Sequence, residues 1–216
     1  LRTGAGRPIA PVDLLVTHTR KLHLLIVDPT LSDYQHVHPE PARTVGEWHF
    51  TFTPRRSGTY RIFGDFMPVA TGRGLYASTD LEIAGTAEVA AEDRPAPAVE
   101  PATVEQDGYR FELSTPKLRA GQPGNLRFTA RRLDDGEVPL EPVMGAYAHL
   151  VAFDEARTGF AHLHPVEADL TQPPDRLHPA LNFKLTIPRA GSYVVWAQMN
   201  IGGREKFVRF SLTVVE

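Results

Sequence analysis

The feature that most constrains this chain is that it repeats itself. Leu22-His23-Leu24-Leu25-Ile26-Val27-Asp28 aligns with Ala148-His149-Leu150-Val151-Ala152-Phe153-Asp154 at an offset of 126. Tyr34-Gln35-His36-Val37-His38-Pro39 aligns with Phe160-Ala161-His162-Leu163-His164-Pro165 at the same offset. Further on, Gly58-Thr59-Tyr60 aligns with Gly191-Ser192-Tyr193 at offset 133, because the second copy has a longer loop around residues 171–175. Fixed-offset similarity defines architecture before local propensity does. A chain of 216 residues has room for two domains of about 100 residues, each able to bury a core. The expected organisation is a first repeat over residues 1–85, a Pro/Ala-rich linker over 86–103 that contains Pro95, Pro97 and Pro101, and a second repeat over 104–216.

Within each repeat the periodicity is two. Residues 48–52, 126–130, 182–187 and 207–212 alternate apolar and polar side chains, as half-buried strands do, and no long helical pattern interrupts them. Short strands broken by Gly and Pro predict an all-β chain of two tandem Greek-key β-sandwich domains of immunoglobulin or cupredoxin type. The second repeat has about 45 residues ahead of its first shared histidine, His149, and the first has only 22 ahead of His23, so the first domain is expected to lack its opening strands. Three explanations stay open: a reduced sandwich, a truncated N-terminus, or an edge completed by a partner strand, which would allow a dimer.

Six of the nine histidines fall into two copies of H-x12-H-x-H-P: His23, His36, His38 and His149, His162, His164. Residues i and i+2 of a strand share a face, so each H-x-H pair is two-pronged. Closing the intervening residues as a hairpin sets His23 opposite His38 and His149 opposite His164, which brings a third imidazole to the same face. Three imidazoles can hold copper, zinc, nickel or iron; copper is the expected ion and zinc the second choice. His18 and Met144, each five residues before the first ligand of its copy, are the candidate fourth ligands. An odd offset puts them on the wrong strand face unless a bulge intervenes, and Gly145 offers one only in the second copy. Asp65 and Gln198 align with each other and read as solvated strand ends, Asp28 and Asp154 as turn formers, and Tyr60 and Tyr193 as residues that serve the fold.

Composition narrows the chemistry. Zero cysteine leaves His, Met and carboxylate as the available metal ligands and excludes disulfides. With 23 Lys+Arg against 26 Asp+Glu and no basic run, nothing supports nucleic-acid binding, and no apolar run is long enough for a membrane span.

The segments Lys21-Leu22-His23-Leu24, His36-Val37-His38-Pro39 and Phe160-Ala161-His162-Leu163-His164-Pro165 resemble those of secreted bacterial proteins with repeated H-L-H-P segments. More loosely, a cysteine-free sandwich with histidine ligands is similar to periplasmic copper-resistance proteins of the CopC type, although the ligand spacing departs from theirs. The resemblance implies a periplasmic or extracellular protein that sequesters copper or passes it to a metal-transfer partner. Two alternatives stand beside it: a metalloenzyme with an open three-histidine site, and a tandem adhesion or scaffold module whose histidines are structural.

Overall fold

The computed structural model describes residues 1–85 and 102–216. The chain divides into two compact units, Leu1–Arg94 and Pro95–Glu216. Both are all-β; the described residues contain one helical turn, the 3-10 segment Pro11–Asp13. The expected linker falls on residues outside the described ones, except that Ala102 and Thr103 already belong to a strand.

The first unit contains β1 (Leu22–Val27), β2 (Tyr34–Val37), β3 (Glu40–Pro41), β4 (Trp48–His49), β5 (Gly58–Phe66) and β6 (Leu75–Ile83). Its antiparallel sheet has the order β2-β1-β5-β6, and β3 with β4 forms a small ribbon. Alternate residues of β1, namely Leu22, Leu24 and Ile26, join Leu14, Tyr60, Ile62 and Phe66 in one apolar cluster. Leu1, Ile9, Trp48 and Phe52, from segments with little strand structure, pack against that cluster.

The second unit contains β7 (Ala102–Gln106), β8 (Tyr109–Ser114), β9 (Leu118–Arg119), β10 (Pro123–Arg132), β11 (Leu140–Glu141), β12 (Ala148–Asp154), β13 (Phe160–Leu163), β14 (Ala180–Thr186), β15 (Gly191–Ile201) and β16 (Arg204–Val215). One sheet runs β14-β10-β8-β7 and the other β13-β12-β15-β16-β9, with β11 added against β15. Phe111, Phe128, Leu181 and Phe183 from the first sheet meet Leu150, Ala152, Val195 and Phe210 from the second in one buried cluster. Each fully buried side chain of that size contributes about 1.5–3 kcal/mol relative to exposure, so this core is the main support of the unit.

The first unit's sheet β2-β1-β5-β6 corresponds strand for strand to β13-β12-β15-β16 of the second. Among the described residues the first unit has no counterpart of β7, β8 and β10. That difference explains one departure from expectation. Residues 48–52 carry the same alternation as β14, yet only Trp48 and His49 are in a strand. In the second unit β14 pairs along β10 from Thr186 to Ala180. Without a β10 the same pattern has no ladder to join, and backbone groups must find other partners. At the next residue, Thr53, the Gln35 side chain serves both backbone groups: its amide donates to the Thr53 carbonyl at 2.7 Å and its oxygen accepts from the Thr53 N–H at 3.3 Å.

Candidate metal centres

Each centre is built on the pair formed by an edge strand and its inner neighbour. In the first unit Leu24 pairs with Val37 and Leu25 with His36, so His23 faces His38 one step further out. In the second, Leu150 pairs with Leu163 and Val151 with His162, and His149 faces His164 in the same way. The ladders end at Leu24–Val37 and Leu150–Leu163, so His38 and His164 lie just past their strands, and Pro39 and Pro165, one residue further, lack the N–H that a ladder requires. Asp28 shapes the first hairpin by accepting N–H bonds from Thr30, Ser32 and Asp33. Asp154 does the same for the second through the N–H and hydroxyl of Thr158.

The result is two groups of three imidazoles, His23, His36, His38 and His149, His162, His164, whose ligand nitrogens all lie within 4.8 Å of one another. Nδ1 of His23 is 3.1 Å from Nε2 of His36 and 3.1 Å from Nε2 of His38; Nδ1 of His149 is 3.3 Å from Nε2 of His162. Two nitrogens bound tetrahedrally to one ion at about 2.0–2.1 Å stand about 3.3 Å apart, so these three spacings suit both an N–H···N hydrogen bond in the metal-free protein and a shared ion. The rings repeat closely: the centroid separations are 5.3, 4.8 and 5.0 Å in the first group and 5.5, 4.6 and 4.7 Å in the second. His23 and His149 are buried, at 1% and 0% exposure, whereas the H-x-H pairs on the sheet edges are half-buried.

A backbone carbonyl stands behind the buried ring in both centres. Nε2 of His23 lies 2.9 Å from the Thr17 carbonyl and Nε2 of His149 lies 2.9 Å from the Val143 carbonyl. A carbonyl can only accept, so Nε2 carries the proton and Nδ1 presents its lone pair to the other two histidines. Such outer-shell bonds fix both the tautomer and the orientation of a ligating ring. The carbonyl is itself held by a tight turn. Thr17 and Arg20 exchange two backbone hydrogen bonds across His18 and Thr19, and Val143 and Ala146 do so across Met144 and Gly145. The four central residues have φ of 48, 72, 51 and 82°, the positive values of a type I′ hairpin.

These turns revise the expectation for the fourth ligands. His18 and Met144 occupy the first left-handed position of each turn and not a bulge, and Thr19 supplies in the first copy the left-handed residue that Gly145 supplies in the second. The His18 ring lies 6.3 Å from that of His23, outside the three imidazoles whose nitrogens converge. Burial pushes the imidazoles of His18 and His23 below their usual range, which keeps both in the neutral, ligating form near neutral pH.

Asp65 and Gln198 are not solvated strand ends. Asp65 pairs across the sheet with His23, and Gln198 pairs with His149. Each therefore extends the row His38–His23 or His164–His149 onto a third strand, with side chains on the same face. Gln198 is 2% exposed and its amide donates to Glu205 at 2.5 Å. Burial pushes the Asp65 carboxyl up, against the opposing pull of the His23 and His18 rings. Their matched positions in the repeat were the signal available in sequence; the turn carbonyls left none, because a backbone acceptor can belong to any residue type.

Fold and site together define an all-β protein with a duplicated histidine triad suited to a transition metal. The chain belongs to the family described as a domain of unknown function, DUF8832, which matches residues 4–84 and 102–216. No curated protein matches the sequence. Among solved structures, the crystal structure of the S-layer protein SbsC domains 4 and 5 is similar at 10% identity and a TM-score of 0.29, over 100% of this chain and 79% of that one.

Proposed function

We propose that this protein binds one transition-metal ion in each unit, copper ahead of zinc, and sequesters or transfers it in the periplasm or outside the cell. The observation that carries the reading is the duplicated triad: three imidazoles whose ligand nitrogens gather within 4.8 Å, each time with one ring held from behind by a turn carbonyl. The same outer-shell bond recurs in both units, and shared descent with structural histidines is the alternative cause of that recurrence. Copper is favoured because affinity among divalent first-row ions peaks there for nitrogen donors, and because zero cysteine leaves imidazole as the dominant soft-to-borderline ligand. A carrier role is favoured by placement: β2 and β13 are edge strands, so two of three ligands in each centre lie at a sheet margin where a second protein's ligands can approach. The periplasmic or extracellular location rests on the resemblance of the histidine segments to those of secreted and periplasmic proteins alone. No helix among the described residues is long and apolar enough to cross a membrane.

The test is elemental analysis and copper titration of the purified chain beside a variant with His36→Ala, His38→Ala, His162→Ala and His164→Ala. About two tightly held equivalents, lost in a variant that still folds, are expected. Folded wild-type protein that binds no first-row metal would overturn the reading, and turnover of a substrate that vanishes with the histidines would move it to the enzyme alternative.

A further inference from the structure

The two centres have the same three ligands and the same turn, but the third strand of the row brings a carboxylate to one and a neutral amide to the other. From this difference we infer that the centres discriminate by metal charge: the His23 centre favours the divalent ion, and the His149 centre favours Cu(I). The inference rests on the metal-binding reading above.

Three neutral imidazoles leave a bound ion's charge uncompensated, so the next charged group decides how costly each oxidation state is. At the His23 centre the charged groups that act on the His23 ring are Asp65, its cross-strand partner, which also acts on His18, and, more weakly and with the opposite sign, Arg20, so the net local charge there is set by the carboxylate. At the His149 centre the same position is Gln198, a buried amide. Glu205 stands behind Gln198 and bonds to its amide nitrogen, but Glu205 is exposed and its charge is screened by solvent. One carboxylate acting on one extra positive charge over several ångström, at an effective dielectric constant of about 20, shifts relative affinity by about ten- to a hundredfold. The offset applies to Cu(II) over Cu(I), and to Zn(II) as well, because it depends on charge and not on ligand softness.

The experiment uses two full-length single-site proteins. His162→Ala with His164→Ala leaves the first centre, and His36→Ala with His38→Ala leaves the second. Cu(I) affinity is read by competition with bicinchoninate under reducing conditions, and Cu(II) affinity by competition with nitrilotriacetate. The Cu(II)-to-Cu(I) affinity ratio is expected to be about ten- to a hundredfold higher at the first centre. Asp65→Asn should lower that ratio toward the second centre's value, and the isosteric Gln198→Glu should raise the ratio of the second, so the inference stays testable even if the Asp65 variant fails to fold. Two centres that bind copper with the same ratio, or ratios unmoved by Gln198→Glu, would overturn the inference and leave the metal-binding reading intact. Failure of both single-site proteins to bind either ion would overturn both.

Discussion

Tyr60 and Tyr193 occupy the same place in the repeat, yet removing their hydroxyls should have very different consequences. The Tyr60 side chain is 0% exposed and donates to Oδ2 of Asp33 at 2.6 Å; Asp33 is 1% exposed and also accepts from the Arg55 N–H at 2.7 Å. Tyr60 further accepts from the Arg56 N–H at 3.1 Å. Tyr193 has no such partner, because the residue equivalent to Asp33 is Gly159, and its hydroxyl donates instead to the exposed Arg189 carbonyl at 2.9 Å. A hydrogen bond to a buried carboxylate is worth about 1.5–3 kcal/mol, and its loss leaves that carboxylate short of a donor, so Tyr60→Phe should cost about 2–3 kcal/mol. Tyr193→Phe removes a neutral, solvent-facing bond and should cost about 0.5–1 kcal/mol. The assay is urea unfolding followed by tryptophan fluorescence. The chain has two tryptophans, Trp48 in the first unit and Trp196 in the second, so Trp196→Phe and Trp48→Phe backgrounds each report one unit. Asp33 lies three residues before His36, so the same bond anchors the arm that carries two ligands of the first centre. Equal costs for the two substitutions, or a larger one for Tyr193→Phe, would refute the assignment of Asp33 as the anchor.

The turns behind the ligands make a second pair of opposite expectations. Gly145→Val forces a β-branched residue to φ near +82° and should destabilise the second unit by about 1–2 kcal/mol, whereas Thr19→Gly relieves the same conformation at φ +72° and, after the entropic cost of glycine, should leave the first unit unchanged or up to about 1 kcal/mol more stable. Chemical denaturation of the metal-free variants decides it, and two changes of the same sign would contradict the turn geometry. Glu167 gives a pH-dependent case. It accepts from the Asn182 N–H at 2.9 Å and the Asn182 amide at 2.7 Å, tying the chain after His164 to β14. Burial pushes its carboxyl up, but those bonds, with Arg127 nearby, outweigh it and hold the group below the usual glutamate range. A depressed folded value means that the unfolded state takes up the proton first, so the contribution is present above the unfolded pKa of about 4.3 and is lost as pH falls through the folded one. Glu167→Gln should therefore destabilise the second unit at pH 7 with a penalty that shrinks below pH 4, as read from denaturation midpoints across that range; a penalty independent of pH would refute it.

The repeat, the β class and the meeting of three histidines were legible in the chain because each depends on short-range rules. Period-two alternation selects strands, and a hairpin closed symmetrically around residues 28–33 fixes His23 against His38 with no knowledge of the rest. What the chain could not specify alone was anything that depends on a partner distant in sequence. Residues 48–52 look like β14, but a strand needs a neighbour, and only the assembled unit reveals that no β10 equivalent stands among the described residues. Asp65 and Gln198 looked like strand ends until β5 and β15 were laid beside β1 and β12, which put them next to the buried histidines. The ring tautomers were likewise decided in three dimensions, by the Thr17 and Val143 carbonyls. Which histidines meet was thus a property of the sequence, whereas the orientation of their rings and the charge around each cluster come from long-range strand pairing, which places groups by backbone register and not by residue type.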